Sequence, residues 1–143
     1  MYVGDYFEGQ AEGEGCYKWR NGSSYTGGFV QGKKQGKGVW KKLPDGPQTK
    51  PEQQNTYTGD YYDDLKHGEG EFRWGSGGHY TGGYVKDVKQ GYGEMHWADG
   101  SVYKGFWNDG VQNGLGIIKT VDGKAKAGVF QDNVLIEMMY SLD

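Results

Sequence analysis

Aromatic residues recur along the chain in a constant register with glycines and polar residues. If the aromatic residue that opens each copy of the pattern is position 1, bulky apolar residues fall mainly at positions 5, 16 and 18, and glycines fall at positions 3, 12 and 14. Side chains on a β-strand alternate between its two faces, so positions 1, 3 and 5 share one face of a first strand. Positions 12, 14, 16 and 18 likewise share one face of a second strand. The pattern predicts two strands in each copy, and we call the side that carries the rings the aromatic face.

Five copies of the pattern open with Tyr-x-Gly, at residues 2, 25, 57, 80 and 103, and a partial sixth copy opens with Lys126–Ala127–Gly128. The starts lie 23 residues apart, except for an interval of 32 residues between the second and third copies. A constant interval of this size is typical of repeat proteins, in which each unit stacks on its neighbour. We therefore expect one repeat domain that spans residues 1–143.

Tight reversals are expected within and between the copies. Polar segments at positions 6–11, such as residues 30–35 and 85–90, are predicted to form the hairpin tips. Asn-Gly and Asp-Gly dipeptides favour turns between copies, since both residue types tolerate positive φ. They occur at Asn21–Gly22, Asp45–Gly46, Asp99–Gly100 and Asp122–Gly123. Each copy is thus predicted to be an antiparallel hairpin, and the fold class all-β: an elongated, twisted, single-layer stack of hairpins.

Glycines share the aromatic face with the rings. A glycine within a strand is costly and leaves a notch without a side chain, so we expect a ring from an adjacent strand to cover each notch. The opposite face is mostly polar in the middle copies and becomes apolar in the fifth, at Phe106, Leu115 and Ile117.

The second copy is longer than the others by an insertion at about residues 43–56. This insertion contains all three prolines, Pro44, Pro47 and Pro51. It is interpreted either as a tolerated surface insertion or as a loop specific to a partner.

Both ends of the repeat array are predicted to lack polar caps. Tyr2 opens a copy directly after Met1, and the last copy is predicted to have one strand followed by the apolar segment 134–140. Open edge strands tend to pair with other chains. The chain is therefore expected to be a fragment of a longer protein, to meet another protein or a second copy at its ends, or to fold the apolar segment back as a cap.

The unit from Tyr80 to Gly100 closely resembles a MORN repeat (membrane occupation and recognition nexus), and the resemblance extends from residue 2 to about residue 131. It rests on the tyrosine, the paired glycines and the Asp-Gly turn, which recur in register. Departures from the pattern are Lys126, Lys42, Thr120 and Ser76. The resemblance implies an elongated stack of β-hairpins. Proteins with such repeats include radial-spoke and other axonemal proteins, junctophilins, plant phosphoinositide kinases, apicomplexan cytoskeletal scaffolds, and a myosin-tail adaptor whose aromatic groove holds a helical segment of its partner.

The rings of the aromatic face have two interpretations. They all serve stacking between copies, or some of them also line an open groove, since exposed aromatic patches mark binding sites. We predict a groove that binds an extended peptide or an amphipathic helix of a protein partner. The predicted groove residues are Tyr6, Trp19, Phe29, Tyr61, Trp74, Tyr84, Trp97 and Trp107. The function expected is that of a non-enzymatic scaffold or adaptor, and the resemblance suggests a cilium, axoneme or radial spoke as its setting.

Composition and isolated residues give no support for chemistry. The net charge of −3 favours neither nucleic acid nor an anionic membrane. Cys16 is the single cysteine, which is typical of a reducing, cytoplasmic or cytoskeletal protein. It also lacks a neighbouring histidine that would activate it as a nucleophile. His67, His79 and His96 are expected to lie a repeat or more apart, so no metal site, cofactor or catalytic residue is predicted.

Two other functions are compatible with the sequence. Lys33, Lys34, Lys41 and Lys42 supply a local argument for a tether that binds phosphoinositides on a membrane. The open sheet edges support a structural module that self-associates.

Overall fold

The computed structural model describes residues 1–43, 50 and 53–142, and these residues form one antiparallel β-sheet. Within this part of the chain the sheet has twelve strands, which lie side by side in chain order. The strands are β1 (Tyr2–Phe7), β2 (Gln10–Lys18), β3 (Ser24–Val30), β4 (Lys33–Lys42), β5 (Asn55–Tyr62), β6 (Leu65–Arg73), β7 (His79–Val85), β8 (Val88–His96), β9 (Val102–Asn108), β10 (Val111–Lys119), β11 (Ala125–Gln131) and β12 (Val134–Leu142). The prediction of an all-β stack of hairpins in a single layer is confirmed.

The hairpin tips are shorter than predicted. Each tip consists of two residues, at positions 7 and 8, and the second strand already begins at position 9. In the fourth hairpin Lys86 and Asp87 have φ values of 47° and 71°. Positive φ at both central residues is the geometry of a type I′ turn, which matches the twist of the flanking strands. The prediction of tips over positions 6–11 was wrong because the polar residues after the turn belong to a strand. Position 10 consequently joins the aromatic face.

A bulge interrupts the pairing inside each of the first five hairpins. In the fourth hairpin Gly82 pairs with Gly93 and Tyr84 pairs with Lys89, so β8 has two more residues than β7 between these pairs. Gly91 lies in the extra segment with a φ of 80°, a conformation that glycine adopts without a steric penalty. The recurrent glycine at position 12 thus permits the bulge.

The described turns between hairpins close on the residue at position 18, which is a tryptophan in the first, third and fourth copies and Thr120 in the fifth. The backbone N–H of Trp97 donates to the carbonyl of Ser101 at 3.0 Å. The Asp99 carboxylate accepts the backbone N–H of Ser101 at 2.9 Å and its hydroxyl at 2.6 Å. Asn21 holds Ser23 in the same way, at 2.9 and 2.6 Å. The sequence Asn21–Gly22–Ser23 therefore forms a turn of the repeat.

The sixth hairpin is complete, which corrects the prediction of one strand followed by a tail or cap. Asp132 and Asn133 form its two-residue turn with φ values of 50° and 68°, and β12 pairs with β11 along its length. Val134, Ile136 and Met138 are exposed on this strand. The strand was missed because it lacks the repeat's glycines and has few aromatic residues. A nearly continuous apolar run and a turn that tolerates positive φ were sufficient to form it.

Most of the predicted insertion, including Pro44, Pro47 and Pro51, lies outside the described residues. Asn55 and Thr56, at the end of the predicted insertion, belong to β5, where Asn55 pairs with Lys42. The Asn55 side chain accepts the backbone N–H of Gly75 at 2.8 Å, which links β5 to the turn after β6.

Candidate binding face

The core of the sheet is a continuous row of aromatic rings packed edge to face. Tyr80 is fully buried, and its ring centroid lies 5.3 Å from that of Tyr84 in its own hairpin and 5.5 Å from that of Trp107 in the next. The same contacts recur in the other hairpins. Among the described residues the row runs through Tyr6, Tyr2, Phe29, Tyr25, Tyr61, Tyr57, Tyr84, Tyr80, Trp107, Tyr103 and Phe130. Each ring between the two ends of the row contacts two others, so the row joins consecutive repeats.

Each opening tyrosine of the first five hairpins covers a glycine on the neighbouring strand, which confirms the predicted role of the glycines. The ring of Tyr80 lies over Gly93, and a Cβ atom at Gly93 would approach Cζ of Tyr80 to 2.5 Å. The hydroxyl of Tyr80 donates to the carbonyl of Gly83 at 2.9 Å. Burying a phenol requires such a partner for its hydroxyl. The tyrosine and the glycine at position 14 therefore form a single packing unit.

The predicted groove residues all belong to the aromatic face, but they lie at different depths. Phe29, Tyr61, Tyr84 and Trp107 are only 5–7% exposed and form its floor. Trp19, Trp74 and Trp97 are half-buried at the rim, and Tyr6 is exposed. The four floor residues contact neighbouring rings, so their direct contact with a partner is restricted.

A second layer of rings lies above the floor and is more accessible. Trp40 lies 6.1 Å from Phe72, and Phe72 lies 4.8 Å from Trp74, between ring centroids. All three side chains are half-buried and pack on the core. Trp40 and Phe72 were not among the predicted groove residues. The sequence pattern identified position 16 as apolar, like position 5. The two positions differ only in the exposure of their side chains, which the sequence does not show.

Three lysines at position 10 lie among these rings: Lys34, Lys66 and Lys89. The ammonium of Lys89 lies 5.9 Å from the Trp74 ring, 5.5 Å from Tyr80 and 5.4 Å from Trp107. Lys34 and Lys66 each contact three rings at 5.4–6.0 Å. These distances are typical of cation–π interactions. These lysines were not predicted because position 10 was placed in the turn. Two-residue turns at residues 31–32 and 86–87 put position 10 on the strand that follows.

Two of these lysines are paired with an aspartate from the next hairpin. The ammonium of Lys34 lies 3.6 Å from Asp64, and that of Lys66 lies 3.5 Å from Asp87. Both aspartates stand at position 8, the second residue of the turn. Each carboxylate also accepts the backbone N–H of its lysine, at 2.7 Å for Asp64 and 2.8 Å for Asp87. These contacts fasten consecutive hairpins together.

Lys89 differs because Gly110 occupies position 8 of the following hairpin. The N–H of Gly110 donates to the Lys89 carbonyl at 3.0 Å, but glycine supplies no carboxylate. Lys89 forms no ion pair with any residue that the structure describes. Burial lowers the pKa of the Lys89 ammonium, and the charge of Lys66 adds to this effect.

Shallow hollows separate the lysines and the upper rings. One hollow of about 220 Å³ lies between Trp40, Phe72 and the Lys34 and Lys66 side chains. The next, of about 270 Å³, lies between Phe72, Trp74, Lys66 and Lys89. Both are open to solvent and follow the direction of repeat stacking. The two hollows share Lys66 and Phe72 in their lining.

The opposite face has a different character at its two ends. Charged residues, among them Glu14, Lys37, Glu69 and Glu71, line a broad depression of about 580 Å³ in the first four repeats. In repeats four to six, a depression of about 530 Å³ is bordered by exposed apolar side chains. These are Tyr92, Phe106, Leu115, Ile117, Met139 and Tyr140. The expected change from polar to apolar along this face is confirmed.

The four lysines considered for lipid binding do not form one patch. Lys33 and Lys34 are consecutive in β4 and therefore point to opposite faces. Lys33 donates to Asp63 at 2.8 Å, whereas Lys34 lies among the rings of Trp19, Tyr25 and Tyr61. Lys33 and Lys34 therefore cannot act as a pair on one face, and phosphoinositide binding stays a prediction.

The histidines are partly closer together than expected. His79 and His96 pair across β7 and β8, and their rings stack 4.5 Å apart, which corrects the prediction that all three lie a repeat or more apart. Burial and the neighbouring His96 lower the pKa of His79. In the described part of the chain, no group of three or more His, Cys, Asp or Glu residues is arranged to hold a metal ion. None of the described residues forms a helix long and apolar enough to cross a membrane.

Comparison with known proteins identifies the repeating unit. A family model described as the MORN repeat matches residues 2–24, 25–42, 57–79, 80–102 and 103–124. No curated protein matches the chain.

Proposed function

The chain belongs to the MORN-repeat family, and from that premise we propose that it is a non-enzymatic scaffold or adaptor whose aromatic face binds a segment of a protein partner. MORN repeats generally mediate interactions with proteins or membranes. The proposal specifies a protein partner and assigns it to the face that carries Trp40, Phe72 and Trp74.

The observation that carries this proposal is the second layer of half-buried rings. The buried row already joins the repeats, so the exposed parts of Trp40, Phe72 and Trp74 are surplus to stacking. Large aromatic side chains that remain partly in contact with water are typical centres of protein interfaces. A partner that covers them would remove apolar area from water without rearranging the sheet.

The repeat spacing favours a helix that lies across the strands. Each hairpin advances the sheet by two strands, or about 10 Å. Seven residues of an α-helix advance by about 10.5 Å. An amphipathic helix could therefore present an equivalent side chain to each successive repeat, which is the helix-in-groove mode of recognition.

Affinity capture with matched variants tests the choice of face. A folded Phe72→Ala/Trp74→Ala variant should lose partners that the wild-type chain retains from a cell lysate. Phe106→Ala/Leu115→Ala on the opposite face, where both side chains are about half exposed, should retain them. Circular dichroism and thermal unfolding establish that both variants fold. Loss with the second variant alone would assign binding to the opposite face and refute the proposal.

A single substitution gives the quantitative test once one partner segment has been captured. We expect Trp97→Ala to weaken binding of that segment by roughly 2 kcal/mol, as is typical of aromatic hot-spot residues. The dissociation constants are measured by calorimetry. Unchanged affinity in a folded variant would remove Trp97 from the interface.

The setting that we propose is a ciliary or cytoskeletal assembly. It rests on the family resemblance and on the adaptor function proposed above. Fluorescence microscopy of the tagged chain in ciliated cells should show it at the axoneme. A diffuse cytoplasmic signal, in cells where the captured partner is present, would contradict this setting.

The apolar end of the opposite face favours self-association as a second candidate. Leu115 and Ile117 are at least half exposed there, beside Tyr140. Sedimentation velocity over a range of concentrations should then show a dimer that Leu115→Lys abolishes. A monomer at all concentrations would eliminate this candidate.

A further inference from the structure

One of the three position-10 lysines lacks the acidic partner that the other two have. Lys34 lies 3.6 Å from Asp64 and Lys66 lies 3.5 Å from Asp87. The residue that corresponds to these aspartates in the fifth hairpin is Gly110. Of the three position-10 lysines, Lys89 is therefore the one whose ammonium has no carboxylate partner within residues 1–43, 50 and 53–142.

The surroundings of Lys89 are mainly aromatic and only partly open to water. Its ammonium lies within 5.9 Å of the ring centroids of Trp74, Tyr80 and Trp107. Ring faces attract a cation but do not neutralise it, and a charge that is partly removed from water generally requires an ionic or hydrogen-bonding partner. The hollow of about 270 Å³ beside Lys89 is also bordered by Phe72 and Gly110, and on its other side by the ion pair of Lys66 with Asp87, and it opens to solvent. A carboxylate can therefore enter it from outside.

We propose that Lys89 receives a glutamate or aspartate side chain of the partner segment, while the apolar residues on either side of that acid rest on Phe72 and Trp74. The inference rests on the proposed function, because it concerns the partner that the aromatic face binds. The incoming carboxylate takes the place that Asp64 and Asp87 occupy at the other two lysines. Such an ion pair, surrounded by rings, is shielded from water and is stronger than one on an open surface.

The arrangement also fixes how the partner lies along the sheet. The lysine one repeat earlier, Lys66, is already neutralised by Asp87, so an acidic side chain of the partner gains little there and faces the negative charge of Asp87. On a helix the residue that faces Lys66 is about seven positions from the one that faces Lys89. The preferred partner therefore carries one acidic residue within its apolar stripe, and a neutral residue about seven positions away.

Gly110→Asp supplies the missing carboxylate within the chain and provides the central test. Asp64 and Asp87 occupy the same turn position, each with a φ of 71°, close to the 85° of Gly110. A Cβ atom at Gly110 would lie 3.4 Å from Val88 Cγ1, an ordinary contact. The variant is thus expected to fold and to pair the introduced carboxylate with Lys89, which a crystal structure or the Lys89 side-chain NMR signal would verify.

The probe is a displayed library of peptides of about 20 residues, selected in parallel on the wild-type chain, on Gly110→Asp and on Phe72→Ala/Trp74→Ala. Peptides retained by the wild type and lost by the double variant bind the aromatic face. We expect these peptides to contain an Asp or Glu at one position of their apolar stripe. Changing that acid to the corresponding amide should weaken binding to the wild type by about tenfold. The same change should have little effect on binding to Gly110→Asp.

A gain-of-function variant gives an independent readout. Asp87→Gly removes the carboxylate from Lys66, and peptides selected on it should acquire a second acidic residue about seven positions from the first. Lys89→Met, which retains an apolar side chain of similar length, should abolish the preference for the first acid.

Each result has one consequence. One outcome is that the selected peptides require Phe72 and Trp74 and yet bind as tightly with the amide as with the acid, both to the wild type and to Gly110→Asp. That result would overturn the role of Lys89 and leave the proposed function intact. Peptides that bind without Phe72 and Trp74, or no selected peptides at all, would overturn the proposed function itself. An acidic preference that Gly110→Asp and Lys89→Met both remove would support the inference.

Discussion

Lys66 and Asp87, which belong to consecutive hairpins, are joined by three contacts. The backbone N–H of Lys66 donates to the Asp87 carboxylate at 2.8 Å, and the N–H of Asp87 donates to the Lys66 carbonyl at 2.9 Å. The two side chains form an ion pair at 3.5 Å. One turn residue thereby links its hairpin to the preceding one through backbone and charge together.

Asp87→Gly should lower the free energy of unfolding by about 1 kcal/mol, because it removes one hydrogen bond and a half-exposed ion pair. Asp87→Asn should cost less, since Asn133 accepts the N–H of Gln112 at 2.8 Å in the sixth hairpin and shows that an amide can replace the carboxylate. Urea unfolding followed by circular dichroism measures both. Asp63→Asn is the matched control, because Asp63 pairs with Lys33 where both side chains are more than half exposed. If Asp63→Asn lowered the free energy of unfolding equally, the charge of the turn, and not the specific contacts between Lys66 and Asp87, would determine stability.

The packing of Tyr80 on Gly93 predicts a large cost for a single methyl group. In Gly93→Ala the added Cβ would lie 2.5 Å from Cζ of Tyr80, so the ring must move and the edge-to-face row is disturbed. We expect a loss of about 3 kcal/mol, at the upper end of the usual cost of overpacking. Thermal and urea unfolding provide the measurement.

The double variant Gly93→Ala/Tyr80→Ala separates this clash from a general effect on the strand. Removal of the ring should make the alanine at residue 93 much less costly, so the two losses should be clearly less than additive. Gly91→Ala gives a second comparison, since a Cβ there meets no atom within 4 Å and only its φ of 80° is unfavourable. Additive losses in the double variant would contradict the proposed contact.

The buried hydroxyl of Tyr80 should contribute measurably to stability. Tyr80→Phe keeps the ring but removes the hydrogen bond to the Gly83 carbonyl, and we expect a loss of about 1 kcal/mol. Tyr92→Phe, at an exposed site on the opposite face, should change stability by much less. Equal unfolding midpoints for the two variants would show that the bond is not needed.

The buried tyrosines should make the protein sensitive to alkali. Burial, as the main cause, raises the pKa of Tyr25 and Tyr103 to about 12, and it also raises the pKa of Tyr57, Tyr61, Tyr80 and Tyr84. The folded state therefore prefers the neutral phenols. This contribution is complete below the unfolded pKa of about 10 and is lost as the pH rises toward about 12.

We expect stability to fall above about pH 10 by about 1.4 kcal/mol per pH unit for each buried tyrosine that ionises on unfolding. Urea unfolding at increasing pH gives the slope, and tyrosinate absorbance shows when the rings ionise. Ionisation of the buried rings should coincide with loss of the circular dichroism signal of the sheet. Ionisation of all twelve tyrosines before any unfolding would contradict the burial of the row.

The repeat sequence by itself determined the hairpins, their order and the pairing of rings with glycines. These features depend on local rules: side chains alternate on a strand, Asp-Gly favours a turn, and a glycine in a strand needs a cover. The same rules failed where their signals were incomplete. The sixth hairpin lacks most of the repeat's residues, and β12 formed through its turn at Asp132–Asn133 and its pairing with β11.

Only the tertiary structure decided which rings are covered and which charges are paired. Tyr84 and Trp74 are both aromatic and share a face, but neighbouring repeats bury the first and leave the second half-exposed. The difference between Lys66 and Lys89 likewise depends on the next hairpin, which places Asp87 beside one and Gly110 beside the other. Burial and ion pairing are properties of contacts between residues about 20 positions apart, so they emerge only once the repeats have stacked.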